Sequence, residues 1–254
     1  MMKHEYFEKE LATIKADDIR KFSVQLLEDA PDYFYHVAAS STGKYHPGYA
    51  LGEGGLLRHT KAVVRFFNHI ASIEQTQNEF TERELDLGRV ACIAHDILKQ
   101  GFPKDQEEGR KAFTVFNHPV LAADFVFSYV GEFLDELELS YIADACKSHM
   151  GQWNTDKRSP GLVLEKPSTK MQKLVHLSDY LASRKDLDVD FSEDSRSPIA
   201  PAQDLKVYTM PFGKHKGVVF EEVPLDYVKW LATTELKEPL KTAVKTRLAN
   251  ESKE

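Results

Sequence analysis

The 254-residue sequence predicts a mainly α-helical core that carries a small α+β appendage at its C-terminal end. Two observations predict this. Apolar residues recur at spacings of three and four from the start of the chain to about Lys185, the period of one face of a helix. Beyond a stretch rich in Asp, Ser and Pro the pattern changes to short strand-like runs around a Gly-flanked turn.

The elements follow in order. Asp17 to Leu27 reads as a short helix with Ile19, Phe22, Leu26 and Leu27 on one face. Tyr33 to Tyr49, rich in aromatics, Gly and Ser, reads as a loop or broken helix. Gly52-Glu53-Gly54-Gly55 breaks the pattern, and a helix follows in which Leu56, His59, Val63, Phe67 and Ile70 share a face. Thr81-Glu82-Arg83-Glu84 has the form of a capping box and opens a helix ending near His95-Asp96. Gly101 to Gly109 is charged loop. Asn117-His118-Pro119 reads as an N-cap with a first-turn proline, and Gly131 ends that helix. A further helix is expected from about Glu132 to His149, a loop over 150–167, and a helix capped by Ser168 that holds Met171, Leu174, Val175, Ser178, Asp179 and Leu181. The helical domain is therefore expected over 1–188, a linker over 189–206 and the appendage over 207–254. In the appendage Val207 to Met210 and Val218 to Phe220 read as strands around a turn, with helices from Pro224 and over 236–248.

Composition narrows the function. Apolar residues make up 42% of the chain, enough for a core, and the net charge of -7 argues against a broad basic face for duplex DNA. A local basic groove remains open. Cys92 and Cys146 are the only cysteines and form no CxxC pair, so neither a disulfide framework nor a zinc ribbon is indicated. Both read as buried thiols in a reducing cytosol. The start, Met-Met-Lys-His-Glu, lacks the apolar core of a signal peptide, and no apolar run reaches the roughly 20 residues of a membrane span. A cytoplasmic protein without a membrane partner is expected.

The most informative local feature is His95-Asp96, which closes the apolar run Val90-Ala91-Cys92-Ile93-Ala94. A buried Asp needs a metal, a cation or hydrogen bonds. Its company matters more than the dipeptide: Gly54-Gly55-Leu56-Leu57-Arg58-His59-Thr60, then His95-Asp96, Asn117-His118-Pro119, Ser148-His149 and His176-Leu177-Ser178-Asp179-Tyr180, in that order. Imidazole and carboxylate suit Mn, Fe, Co, Ni or Zn, and a carboxylate-rich site also takes Mg.

This series resembles the HD-domain metal-dependent phosphohydrolases over about Tyr45 to Lys185. The Gly-Gly-Leu-Leu-x-His-Thr stretch is similar to members that trim nucleic acid as 3′-5′ exonucleases. The resemblance implies an HD-domain helical core in which His59, His95, Asp96 and Asp179 hold a first divalent metal. It also implies that Asp96 bridges to a second ion held by His118 and His149. Taken singly, each residue has a plainer reading: His59 as a core histidine, Asp179 as a solvated acid, His118 as a first-turn polar group, His149 as a partner for helix-end carbonyls. His176, one turn before Asp179, could support a ligand or belong to core or surface. Lys99 follows the pair by three residues, where relatives contact phosphate, so Asp96 and Lys99 are the expected catalytic residues. The commoner His-Asp-x-Gly-Lys has Gly where this chain has Leu98. Arg58 and Arg184 are candidate phosphate ligands, and His46, in Tyr45-His46-Pro47, is a candidate general acid or substrate contact.

The appendage resembles, over about 207–248, a small domain of unknown function found in phage proteins and at the end of some bacterial DNA exonucleases. Its turn, Gly213-Lys214-His215-Lys216-Gly217, makes a basic knob beside Phe212 and Phe220 that could grip a single strand; a solvated hairpin tip is the plain alternative. No P-loop is present. The expected function is cleavage of a phosphoester of a nucleotide or nucleic acid by metal-activated water. The enzyme would be a 3′-5′ exonuclease or a nucleotide phosphohydrolase or phosphodiesterase, with nucleotide or single-stranded nucleic acid as partner. The rival is a non-catalytic nucleotide- or protein-binding module with a structural or vestigial metal site.

Overall fold

The computed structural model describes residues 2–40, 46–103, 114–156, 161–191 and 194; further on it describes 210, 213–215, 218, 220–234, 240, 244, 247 and 248. The chain divides into two compact units, Met1–Ala200 and Pro201–Glu254. The architecture is mainly helical, as the spacing predicts.

In the first unit the main helices are α1 (Asp17–Asp29), α2 (Gly55–Ala71), α3 (Glu82–Ala94), α4 (His118–Phe127), α5 (Glu136–Ser148) and α6 (Lys170–Ala182). Helix α3 is central, touching α1, α2, α4, α5 and α6, while α4 lies along α5 and α2 along α6. Every residue of α3 from Leu85 to Ala94 is buried. Two of those residues are charged, and their partners explain the burial. Asp86 accepts hydrogen bonds from the Lys15 and Ala16 amides at the start of α1, at 2.9 and 2.8 Å. Arg89 donates to Asp86, Glu82 and Asn68. The capping box at Thr81 forms as expected, with Glu84 N donating to Thr81 Oγ1 and Thr81 N to Glu84. Cys92 and Cys146 are free and buried.

Glycine is required where α2 starts. Gly54 has φ 66°, and a Cβ on Gly55 would lie 2.4 Å from the Ala50 carbonyl oxygen. The Gly-Gly pair lets the 46–53 loop pass tightly over the first turn of the helix that carries His59.

Several boundaries differ from the sequence reading. The helix expected from Glu132 starts at Glu136, because Asp135 provides the N-cap, paired reciprocally with Glu138. Thr169, not Ser168, caps α6; its hydroxyl receives Gln172 N, and Ser168 bonds the Gln172 side chain instead. Asn117 precedes α4 without making a side-chain cap bond. Tyr33–His36 and Gly48–Ala50 form single helical turns, the broken-helix alternative for that stretch.

The expected linker is corrected at its start. Val189 and Phe191 pack against the helical core. The Phe191 ring lies 4.4 Å from the Arg65 guanidinium and 5.3 Å from the Tyr49 ring. Asp194 is buried and accepts from Lys61 Nζ at 2.6 Å. A cation–π contact and a buried ion pair therefore hold Phe191 and Asp194 to α2, despite the polar composition of the stretch. The rest of the 189–206 expectation lies outside the described residues.

The second unit has its own small core, which includes Met210, Phe220, Val223, Val228 and Leu231. Helix α7 (Leu225–Leu231) follows Pro224 as expected. Of the strands expected over 207–210 and 218–220, residues 207–209 and 219 lie outside the described set. Met210 N donates to the Val218 carbonyl at 2.8 Å, but no strand is formed among the described residues here. Phe220 opens a 3-10 turn, Phe220–Glu222, instead of ending a strand; its carbonyl is taken by Val223 N and by Arg247. Of the helix expected over 236–248, Leu240, Val244, Arg247 and Leu248 are described and are helical. Among the described residues no helix is long and apolar enough to cross a membrane.

Candidate metal centre

Helix ends and faces bring the chemistry-bearing residues together. His59 lies mid-helix on α2, His95 caps the C-terminus of α3 with Asp96 in the turn beyond, and His118 is the first residue of α4. His149 caps the C-terminus of α5, and Asp179 is on α6. Helix caps suit this work because the chain there leaves carbonyls without intrahelical partners. His95 and His149 use them, and His118, at a helix start, uses a carbonyl of the preceding loop. His95 Nδ1 pairs with the Cys92 carbonyl at 2.8 Å, His149 Nδ1 with that of Cys146 at 2.8 Å and His118 Nδ1 with that of Val115 at 2.7 Å. A carbonyl can only accept, so each Nδ1 carries a proton, and in the neutral imidazole Nε2 is left with its lone pair. The helix-end bond offered as the plain role of His149 is thus what aims its other nitrogen inward.

The other five side chains gather around Asp96, and the two oxygens of its carboxylate face different sets. Oδ2 lies 3.4 Å from His95 Nε2 and 3.8 Å from His59 Nε2; Asp179 Oδ1 closes this side, 3.0 Å from His59 Nε2 and 3.8 Å from His95 Nε2. Oδ1 lies 3.0 Å from His118 Nε2 and 3.6 Å from His149 Nε2, and those two nitrogens are 3.3 Å apart. The potential donor atoms of His59, His95 and Asp96 all lie within 4.8 Å of one another, and so do those of Asp96, His118 and His149.

The donor set fits divalent metal. His95 Nε2 and Asp96 Oδ1 are buried without a hydrogen-bond partner. Lone pairs face lone pairs: Nε2 of His118 and His149 point at each other and at a carboxylate oxygen. Burying such a set is costly unless a cation lies among it. The backbone carbonyls behind the imidazoles fix tautomer and ring orientation, as metal-ligating histidines require.

The protonation states of the two carboxylates and His149 agree, while His95 leans the other way. Burial alone would raise Asp96, yet Lys99, His95 and His118 outweigh it and hold the carboxyl well below the usual range. Burial likewise opposes ionisation of Asp179, and the hydrogen bond from His59 with the nearby His95 brings it down. Burial pushes His149 down to about 3, helped by His95. Burial also opposes charge on His95, but Asp96 prevails and raises it. Ionised carboxylates and a neutral His149 are the ligating forms.

The expected substrate residues divide. The Lys99 ammonium rests on Asp96 Oδ2, beside the cluster. The His46 ring is 5.6 Å from the His59 ring, with its buried Nδ1 unpartnered; burial is the main reason it falls to about 4. Arg58 is turned elsewhere. It is buried, and its guanidinium donates to the carbonyls of Tyr49, Leu51 and Glu53 at 2.6, 2.9 and 2.9 Å, pinning the loop before α2. Arg184 lies over the Tyr180 ring at 4.6 Å, and its buried Nε has no hydrogen-bond partner. Leu98, where relatives commonly have Gly, is fully buried in the core.

Sequence reasoning passed over Tyr33, Gly151, Trp153 and Tyr180, and left the role of His176 open. Tyr33 accepts from Gln100 N and donates to the Gly101 carbonyl, tying the turn after Lys99. His176 Nδ1 pairs with the carbonyl of His149 at 2.7 Å. A Cβ on Gly151 would fall 2.2 Å from the His176 ring, so the chain after His149 wraps directly over it. Trp153 and Tyr180 stack at 5.8 Å with planes 13° apart. Their signal was position: His176 is three residues before Asp179, Tyr180 is next to it, and Trp153 is four after His149.

Residues 56–184 match the family model described as HD domain. Residues 202–239 match a second model, described as "Putative quorum-sensing-regulated virulence factor". No curated protein and no solved structure matches the chain.

Proposed function

The chain belongs to the HD domain family, whose members are generally metal-dependent hydrolases, and from that premise we propose that it hydrolyses a phosphoester of a nucleotide or nucleic acid at a two-metal site. His59, His95, Asp96 and Asp179 would hold one ion, and His118 and His149 the other, with Asp96 bridging. The observation that carries this reading is the division of the Asp96 carboxylate, one oxygen toward each set of Nε2 atoms. Divalent ions bound there lower the pKa of water and polarise a phosphoryl oxygen. The native ion, among Mn, Fe, Co, Ni, Zn and Mg, is set by more than these donors.

The protein's own groups have separate tasks. Asp96 and Asp179 supply the negative charge that binds the cations. The carbonyls of Cys92, Val115 and Cys146 keep three imidazoles oriented. Lys99, already against Asp96, would swing to a phosphate seated beside that carboxylate and stabilise charge that builds on it. His46, neutral near pH 7, is available on the His59 side as a hydrogen-bond partner of substrate. Arg184 offers its unpartnered Nε.

In the second unit, Lys214 and His215 share a turn, the His215 ring is 4.7 Å from Tyr227, and Tyr227 is 5.2 Å from the exposed Trp230. Cations interleaved with aromatics suit a single strand, so capture of a polymer substrate is the role assigned to this unit.

The test uses chelator-treated full-length protein reloaded with single divalent metals. Two ions per chain are expected. So is metal-dependent hydrolysis in a panel of bis-p-nitrophenyl phosphate, nucleotides and end-labelled single strands, and Asp96→Ala should abolish it while far-UV circular dichroism stays unchanged. Full activity in Asp96→Ala would overturn the reading. Metal or nucleotide binding without hydrolysis in any arm would leave the non-catalytic module, with Lys99 neutralising Asp96.

A further inference from the structure

The metal centre accounts for the phosphate end of a substrate and leaves an aromatic group beside it unused. Trp153 keeps 45% of its surface exposed although it stands on a short turn, Gly151–Trp153, directly after a candidate ligand. An exposed indole is ordinary by itself; this one is set apart by its place beside the candidate ligands and by what backs it. Its surroundings are built. One contact is the near-parallel Tyr180 ring, which also carries the Arg184 guanidinium at 4.6 Å. Another is the His176 ring at 6.2 Å. His176 is itself fixed, bonded to the His149 carbonyl and packed against Gly151, which takes φ 56° in that contact.

This arrangement is continuous with the candidate metal ligands along two routes. Trp153 connects through His176 to His149, whose Nε2 faces Asp96 at 3.6 Å. It connects through Tyr180 to Asp179, the adjacent residue, whose carboxylate faces His59 at 3.0 Å. A flat, rigidly backed π-surface beside a cation-binding cluster matches a ligand that is planar and aromatic at one end and anionic at the other. We propose that Trp153, backed by Tyr180, is the platform on which the nucleobase of the substrate stacks, with the phosphate at the metal centre and Arg184 within the same group. The inference rests on the phosphohydrolase reading and narrows it to substrates that carry a base next to the scissile phosphate. Stacking reads a π-face and not a base edge, so the site would tolerate all four bases.

The chain has two tryptophans, so Trp230→Phe leaves Trp153 as the sole indole reporter. Full-length Trp230→Phe protein is titrated with adenosine 5′-monophosphate and, separately, with ribose 5-phosphate, which has the same phosphate and no base. Saturable quenching by the nucleotide, with none by the sugar phosphate, is expected. In the otherwise native chain, Trp153→Ala should raise the KM for thymidine 5′-p-nitrophenyl phosphate about 10-fold, with kcat held within about two-fold, and Trp153→Phe should restore most of the loss. Metal-dependent hydrolysis of this ester together with an unquenched indole and an unchanged KM in Trp153→Ala overturns the platform and leaves the hydrolase reading intact. Base-dependent quenching without hydrolysis of any ester supports the platform and removes the hydrolase reading. A change in oligomeric state on Trp153→Ala overturns the proposal and assigns the exposed ring, with Leu177, to contact with a second copy.

Discussion

Asp194→Ala is the sharpest test of how the helical unit ends. Asp194 lies in a polar stretch that composition marks as linker, yet its carboxylate is 2.6 Å from Lys61 Nζ, and the two side chains keep 8% and 1% of their surface. Removing one partner of a buried pair leaves the other charge uncompensated, which costs about 3–5 kcal/mol. Glu10 is close to this cluster, 3.3 Å from Arg65, and remains after the substitution. The lower end, about 3 kcal/mol, is therefore expected. For a unit of 150–250 residues each kcal/mol moves Tm by about 2–4 °C, so the helical transition should fall by about 6–12 °C. Far-UV circular dichroism of the full chain during heating measures it. Lys61→Met with Asp194→Ala should cost less than Asp194→Ala alone, because two neutral groups replace a stranded ammonium. A shift under about 2 °C for Asp194→Ala, or a double variant less stable than the single one, would show that the segment is not docked on α2.

Two further predictions concern the sites. His118→Ala should lower bound metal from two ions per chain to one, read by elemental analysis of protein reloaded in excess Mn, with helical content unchanged; two ions retained would remove His118 from the ligand set. Replacing Lys214 and Lys216 together by Ala should weaken binding to single-stranded DNA and reduce the slope of log K against log salt by about 1.4, at about 0.7 for each phosphate no longer neutralised. Turnover of bis-p-nitrophenyl phosphate should not change, and equal losses on both substrates would mean that the turn is structural.

Helix period, caps and ligand types are local properties, and they were legible. The apolar spacing of α1, α2, α3 and α6, the Thr81 capping box and the order of His59, His95-Asp96, His118, His149 and Asp179 are written in the chain within a few turns of each residue. Nothing local could reveal that Asp96 turns one oxygen to each pair of imidazoles, because that depends on where the ends of α3, α4 and α5 meet in space. The same holds for Arg58, just before His59, and Arg184, five residues past Asp179, which were equal candidates in sequence. One is buried because three loop carbonyls need donors, and the other lies on an aromatic ring with a donor to spare. Composition misjudged residues 189–191 and 194 for a related reason. A polar stretch is a linker only when its charges are solvated, and whether Asp194 meets water or Lys61 is decided 133 residues away, by the face that α2 presents. The sequence by itself determined the helices and the donor chemistry; packing decided which donors face one another, since an electrostatic partner is chosen by distance in space and by burial.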